Sequence, residues 1–293
     1  GEVFGDMYLE DNERKAILRG NYGFYNEKTE YGLATDSAYA IDYSQQDSLY
    51  LHGDTLVMMT DSTFRDIKAY YKVRFYRSDI QGISDSVHYS SRDSMIYMRG
   101  DPVLWNEGNQ ILGNEIDIYL NDSTIEKAHI RDYALGIQDR QENGQYNQLS
   151  GRDMTAFFRE GELYHLLVEG DAESLYYLVE EDSTIIGLNR TESPYLSMDF
   201  KDDKLEKLKI WPTGTGVTKP LSILSPDESR LGGFVWLDYL RPLGPHDIFR
   251  GNQRRSSEII EQPRRFKREP PRKLPLVRCV PFQQGPLKIF RFV

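Results

Sequence analysis

The sequence is poor in the residues from which many functional sites are built. A single cysteine, Cys279, excludes an internal disulfide framework and a cysteine zinc cluster. The five histidines are scattered, without a His-x-x-x-His or His/Glu cluster. The motifs of serine hydrolases, P-loop proteins and dinucleotide-binding proteins are missing. No apolar run approaches the roughly 20 residues that a helical membrane span needs. These absences predict no catalytic residues, no metal site and no cofactor.

Charge is distributed unevenly along the chain. The net charge is −10 over 293 residues, but residues 241–293 hold 13 Lys/Arg, 4 Asp/Glu and eight of the 13 prolines. Residues 1–240 therefore carry −19 and the remainder +9. This division predicts an acidic body, 1–240, and a basic, Pro-rich tail, 241–293, which we expect to be disordered. We expect no nucleic-acid partner.

The most distinctive feature of the sequence is an internal repeat. Residues 32–54 and 82–101 both read as glycine, Asp-Ser, short alternating strand, Asp-Ser, second strand and Gly-Asp. A degraded third copy covers residues 151–171. Self-similarity at such a spacing is typical of stacked supersecondary units.

The hydrophobic pattern predicts an all-β body. Short alternating runs recur throughout residues 1–240, and no segment keeps a helical period over ten or more residues. This pattern fits a sandwich, a solenoid or a jelly roll. The repeat favours a stack, because one unit alone cannot bury its apolar face.

The Asp-Ser dipeptide invites a functional reading as nucleophilic serines or calcium ligands. Asp and Ser side chains also bond to nearby backbone N–H groups and set turns, and recurrence at one place in each unit favours that role. We therefore interpret these dipeptides as turn chemistry. They begin at Asp36, Asp47, Asp61, Asp85, Asp93, Asp122 and Asp182.

Apolar residues recur at alternate positions on both sides of the Gly-Asp turns. Alternation sends residues i and i+2 to the same face of a strand, so stacked units would align them into an apolar stripe. The stripe is either a closed core or a groove wide enough for acyl chains. The alternation of apolar residues, taken alone, favours the closed core.

These units resemble the OstA-like lipopolysaccharide-transport family. The resemblance rests on "alternating strand, Gly-Asp, alternating strand" at residues 49–58, 96–105 and 166–175, and on the strands that begin at Gly32, Gly82, Gly113 and Gly151. It spans roughly residues 15–211. It includes the periplasmic LptA-type proteins and the matching domain of the outer-membrane assembly protein, and it is strongest to the longer Bacteroidetes-type members.

The resemblance implies V-shaped, stacked antiparallel strands, a solenoid-like β-jellyroll with an open slot between two sheets. It implies lipid A acyl chains held in that slot, a periplasmic location beside the membrane machinery, and one or two stacked units within 1–240. It also implies end-to-end stacking on other such domains, including copies of this chain and the outer-membrane assembly protein.

The resemblance reverses the preference for a closed core, because its slot must stay open. It predicts non-enzymatic binding and transport of lipopolysaccharide across the periplasm to the outer membrane. The alternative is a structural or adhesive β-solenoid with a closed core. The residues predicted to line the groove are Leu49, Leu51, Leu56, Met58, Ile96, Met98, Val103, Trp105, Ile116, Ile118, Met154, Phe158, Leu166 and Val168.

Overall fold

The computed structural model describes residues 1–60, 64–121, 124–140, 144–180, 184–202 and 204–251. These residues form twenty antiparallel strands and four short 3-10 turns, with no α-helix among them. The 3-10 turns cover Leu221–Ile223, Pro226–Ser229, Asp238–Leu240 and Pro245–Phe249. The strands are β1 (Glu2–Asp11), β2 (Ala16–Asn26), β3 (Tyr31–Thr35), β4 (Tyr39–Asp42), β5 (Leu49–His52), β6 (Thr55–Thr60), β7 (Arg65–Tyr76), β8 (Gln81–Ser90), β9 (Met95–Arg99), β10 (Val103–Asn106), β11 (Asn109–Leu112), β12 (Glu115–Asn121), β13 (Thr124–Arg131), β14 (Ala134–Asp139), β15 (Tyr146–Gly151), β16 (Asp153–Arg159), β17 (Glu162–Val179), β18 (Ile185–Lys201), β19 (Lys204–Trp211) and β20 (Thr215–Lys219).

The strands form one continuous hydrogen-bonded sheet that is folded into two walls. Wall A contains β3, β6, β9, β12, β13, β16 and β19, and wall B contains β4, β5, β10, β11, β14, β15 and β20. The long strands β1, β2, β7, β8, β17 and β18 run through both walls. Both walls contribute to one apolar interior. The predicted V-shaped stack of antiparallel strands is therefore confirmed.

The chain passes from wall A to wall B through pairs of left-handed residues. Each such corner holds two consecutive residues with positive φ, a conformation that favours glycine and that Asp tolerates better than most residues. The Gly-Asp phrase of the sequence supplies several of them. The pairs are Gly5-Asp6, Asp36-Ser37, Tyr71-Lys72, Gly100-Asp101, Asp132-Tyr133 and Gly170-Asp171.

Corners in the opposite direction are made by small residues in ordinary conformations. A Cβ on Gly113 would lie 2.5 Å from Ile130 Cγ2, and one on Gly151 would lie 2.4 Å from Val168 Cγ1. Buried Ser84 fills the same position in β8, where its hydroxyl oxygen lies 2.7 Å from the Ser86 carbonyl oxygen and 2.8 Å from that of Arg99. Wall B thus returns to wall A only where the side chain is small enough to lie against its neighbour.

Backbone hydrogen bonds join successive corners into a spine at the apex of the V. The amide of the residue after each small corner residue donates to the carbonyl of the neighbouring left-handed corner, at 2.8–3.1 Å. The donor–acceptor pairs are Asn21–Asp36, Asp54–Tyr71, Asp85–Gly100, Asn114–Asp132 and Arg152–Gly170.

The sequence repeat does not superpose on the structural one. Gly53-Asp54 leads from wall B to wall A, whereas Gly100-Asp101 leads from wall A to wall B. Equivalent strands of the two best sequence copies therefore lie in opposite walls. Asp36-Ser37 is a corner, Asp85-Ser86 lies within β8, and Asp47-Ser48 and Asp93-Ser94 lie at hairpins. The dipeptides that begin at Asp61, Asp122 and Asp182 lie outside the described residues.

The segment that follows the last strand, β20, covers the outer face of wall B. We call residues 220–251 the strap. Its buried Leu231 packs on Leu175 and Tyr177, and its buried Leu237 and Leu240 pack on the outer side of wall B. Further along, Phe249 meets Tyr39 edge to face and His52 at a tilt of 55°, at centroid distances of 5.3 and 5.0 Å. The strap therefore runs back along the stack, from the later strands toward the earlier ones.

Buried glutamines on alternate strands of wall B hold the strap by its backbone. Gln110 donates to the Val235 carbonyl at 2.8 Å and accepts from the Leu237 amide at 2.7 Å. Gln148 makes the same pair of bonds to the Ser229 carbonyl and the Leu231 amide, both 2.8 Å. Gln81, two strands from Gln110, accepts from Arg241 Nε at 2.7 Å.

The described part of the predicted tail, residues 241–251, belongs to this strap rather than to a free tail. Ile248 is buried, and Arg74 Nη2 donates to the Leu240 carbonyl at 2.9 Å. The predicted boundary at residue 240 therefore falls inside a packed segment. The rest of the predicted basic tail, from residue 252, lies outside the described residues.

Candidate functional site: the slot between the walls

The inner face of wall A is apolar in layers that run parallel to the spine. The layer next to the spine is at most 1% exposed. The layer at the opposite rim, near the hairpins, is only half-buried. The spine layer consists of Met98, Ile116, Ile130, Met154, Val168 and Leu196, and the rim layer of Leu120, Ile125, Phe158, Leu163, Phe200 and Leu205.

The inner face of wall B is thinner and more polar. Leu104, Ile111 and Leu149 face the slot, but the other positions in the same row across the strands are Gly82, Gly136 and Ser174. Toward the rim, Asn147 Nδ2 donates to Gln138 Oε1 at 2.9 Å. The slot thus has one apolar wall and one wall that ends in amide groups.

The slot is closed along its middle and has room at the end built from β1, β2, β3 and β6. One cavity of about 150 Å³ is lined mainly by Met7, Leu9, Leu18, Phe24, Leu33 and Met58. A second cavity, of about 280 Å³, lies beside it and shares Leu9, Tyr25 and Met58 with the first. In the middle of the slot Met98 and Ile116 are fully buried, and side chains of both walls pack into one cluster.

Most of the predicted groove residues face the slot. The two apolar clusters that fill the slot contain Leu51, Leu56, Ile96, Met98, Ile116, Ile118, Met154, Phe158, Leu166 and Val168. Met58 lines both cavities. Leu49 is half-buried and lies two residues before Leu51 on the same face of β5.

Val103 and Trp105 lie on the opposite side of wall B. Both are fully buried, but they pack against Leu237 and Leu240 of the strap. The reason is the Gly100-Asp101 corner, whose two left-handed residues reverse which face the next side chains take. Leu104, which the parity rule placed outside, faces the slot instead.

The predicted groove residues leave out slot residues of β15 and β18. Leu149, Leu196 and Met198 are buried in the same cluster as Met98. Leu196 and Met198 alternate with Ser197, which is the ordinary signal of a half-buried strand. They were recognisable as a strand, but nothing in the repeat links them to the stripe.

The outer face of wall A carries ion pairs. Asp117 is 3% exposed and lies 2.7 Å from both Arg99 and Arg131. Nearer the end of the stack, His165 Nδ1 lies 2.6 Å from Asp199 Oδ1. Burial would raise the pKa of Asp199, but the His165 hydrogen bond and the Lys209 charge hold that pKa below its usual value.

The described residues bring no three His, Cys, Asp or Glu side chains into metal-binding geometry. Among the same residues, no helix has the length and apolarity that a membrane crossing requires.

Comparison with known proteins supports the resemblance found in the sequence. Residues 43–124 match the family described as "LptA/(LptD N-terminal domain) LPS transport protein". These residues run from the end of β4 to the start of β13 and contain both walls and several corners. The predicted OstA-like, LptA-type resemblance is confirmed over this stretch.

A solved structure is also similar. It is LptH from Pseudomonas aeruginosa, described as the LptA-homologous periplasmic component of the lipopolysaccharide transport device. The match has 14% identity and a TM-score of 0.38, and covers 48% of this chain and 95% of LptH. At this TM-score we take nothing further from the likeness. No curated protein matches the sequence.

Proposed function

We propose that the chain is a non-enzymatic, periplasmic carrier of lipopolysaccharide that holds acyl chains against wall A. The premise is the match of residues 43–124 to the LPS-transport domain. The observation that supports the proposal is the layered inner face of wall A, apolar from spine to rim across successive strands. Binding would rest on apolar burial, about 0.8 kcal/mol per CH₂ group.

The graded exposure of wall A suggests where acyl chains would enter. Rim residues such as Phe158 and Phe200 are half-buried, whereas the spine layer is sealed. An acyl chain would therefore displace the rim layer first and would reach Met98 only when the walls part. Methionine suits such a surface because its unbranched thioether adapts to neighbours of different shape.

A photo-crosslinking residue placed at Leu51 or Met98 tests the slot, with Trp105 as a matched control. Trp105 and Met98 are both 0% exposed, but Trp105 lies under the strap on the outer side of wall B. We expect adducts with labelled lipopolysaccharide from Leu51 and Met98 and none from Trp105, in variants whose cooperative unfolding shows that they are folded. Equal labelling at Trp105, or no labelling at the two slot positions, would contradict the proposal. The second result would favour the closed-core solenoid.

We also propose that copies of the chain associate end to end. Within the described residues, β1 pairs only with β2, and β19 and β20 pair only with β18, so their outer edges are open to strand addition. The β1 edge runs from wall A to wall B, and so does the β19–β20 edge. A head-to-tail contact would therefore join them as parallel strands.

The side chains at the two edges are complementary. Phe4 is 76% exposed and its ring contacts that of Tyr22 at a centroid distance of 5.2 Å, and Trp211 is 38% exposed and stacks on Tyr195 at 5.6 Å. Each aromatic pair lies at the spine end of wall A. A head-to-tail contact would place Phe4 beside Trp211 and, two residues toward the rim, an acidic side chain (Glu2) beside a basic one (Lys209).

Association can be measured by sedimentation or by mass photometry over a concentration series. We expect Phe4→Ala and Trp211→Ala each to weaken it. Tyr133→Ala serves as the control, because Tyr133 is 42% exposed but lies at a corner in the middle of the stack. Equal weakening by all three substitutions, or by none, would refute an edge contact. The same contact would join this chain to an outer-membrane assembly protein that carries such a domain.

A further inference from the structure

The larger cavity differs from the rest of the slot because its lining is charged. It lies at the rim, between the β1–β2 hairpin of wall B and the β2–β3 hairpin of wall A. Four carboxylates and one guanidinium line it, which gives a formal charge of −3: Glu10, Asp11, Glu13, Glu30 and Arg14. Lys15 and Lys28 belong to the same hairpins but do not line the cavity.

Two of these carboxylates are already engaged. Asp11 pairs with Arg14 at 2.8 Å and also accepts from the Glu13 and Arg14 amides. Glu10 accepts hydroxyl hydrogen bonds from Tyr8 and Tyr43 at 2.7 and 3.1 Å. The described residues provide no hydrogen bond or ion pair for the side chains of Glu13 and Glu30.

Thr60 supplies an independent observation at the same place. Its side chain lies on the face of β6 that also carries Leu56 and Met58, so it points into the slot, and it lines the cavity. The residue is 7% exposed, and its Oγ1 has no hydrogen-bond partner in the described part of the chain. A buried hydroxyl without a partner costs free energy, which a ligand donor or acceptor would recover.

The apolar cavity next to it completes an amphipathic site. Leu9, Tyr25 and Met58 form part of both linings, so the acidic cavity and the apolar one adjoin at these three side chains. A ligand that fills both must carry an alkyl part and a cationic, hydrogen-bonding part. An anionic headgroup would meet three net negative charges there.

We propose that this pair of cavities binds the primary ammonium group of an acyl amphiphile, with the alkyl chain in the apolar cavity. Glu13 and Glu30 balance the ammonium charge, and Thr60 Oγ1 accepts one of its hydrogens. The inference rests on the proposed slot function and deepens it. It makes this end of the slot favour a headgroup that carries a primary amine over one that carries a carboxylate.

Calorimetry with octylammonium and octanoate tests the site, because the two probes share a chain length and differ in head charge. We expect octylammonium to bind about tenfold more tightly, as one screened charge interaction of roughly 1.4 kcal/mol would give. The Glu13→Gln/Glu30→Gln double variant should bind the two probes nearly equally. Glu160→Gln/Glu162→Gln, which removes the same charge at the exposed β16–β17 hairpin, should keep the preference.

Three outcomes would overturn the inference. One is equal binding of the two probes by the unaltered chain, and another is loss of the preference in the control variant. The third is Mg²⁺ alone abolishing octylammonium binding at low millimolar concentration, which would identify a divalent-cation site. None of these affects cross-linking at Met98, so the headgroup inference and the slot proposal can fail separately.

Discussion

Replacing Gln110 by alanine tests whether the strap is held by its backbone. Gln110 is fully buried, and its amide binds the Val235 carbonyl, the Leu237 amide and, at 3.3 Å, the Trp105 indole nitrogen. Leu237 and Trp105 are themselves fully buried. The substitution therefore leaves two buried N–H donors with no acceptor and no route to water.

Each unsatisfied buried donor costs about 1–3 kcal/mol, so we expect a loss of roughly 2–6 kcal/mol in the free energy of unfolding. The free energy with which the strap docks sets an upper limit, because the strap can detach before the rest of the chain unfolds. At about 2–4 °C per kcal/mol for a domain of this size, the melting temperature should fall by about 4 °C or more.

Urea unfolding measures the loss, and hydrogen exchange of the Leu237 amide locates it. Gln45→Ala is the control, because Gln45 is exposed in the loop between β4 and β5. We expect Gln110→Ala to accelerate exchange at Leu237 far more than exchange in β12. If Gln110→Ala unfolds like Gln45→Ala and leaves exchange at Leu237 unchanged, the glutamine does not hold the strap.

Two further predictions concern a corner and a carboxylate. Gly100→Ala should destabilise the chain more than Gly161→Ala in thermal unfolding: both glycines have positive φ, but only at Gly100 would the added Cβ lie 2.5 Å from Asp85 Cβ. Equal losses would show that the spine tolerates side chains. The pKa of Glu228, lowered to about 2 by Lys219 and by Ser225 hydrogen bonds, implies stabilisation that is present above pH 4.5 and lost as the pH falls toward 2. Titration by NMR should show that Lys219→Met raises this pKa, and an unchanged value would contradict the pairing.

The sequence contained the strands and most of the slot residues because both follow from local alternation. Ile116 and Ile118, or Leu166 and Val168, are two residues apart within one strand, so their shared face needs no knowledge of the fold. The same rule failed across Gly100-Asp101. A pair of left-handed residues rotates the chain by an amount that the identities of the two residues do not specify.

The strap was hidden for a different reason. Residues 220–251 contain prolines, glycines, the lone Leu231 and the short apolar run 234–237, with no period that a strand or helix would impose. Their order comes from contacts with strands much earlier in the chain, including Gln110, which lies 127 residues before Leu237. Polar residues in strands are read as solvent-facing, and only the tertiary structure shows that Gln110 and Gln148 face a peptide backbone.

The strap also ties the length of the stack to the length of one segment. Gln148 and Gln110 are two strands apart, about 9.6 Å at the usual strand spacing, and the strap advances six residues between them, from Leu231 to Leu237. A stack lengthened by two strands would need a strap lengthened by about as much, or its last contacts on Arg74 and His52 would be out of reach. The number of strands in the stack and the number of residues in the strap therefore have to correspond. An insertion or deletion in one requires a matching change in the other.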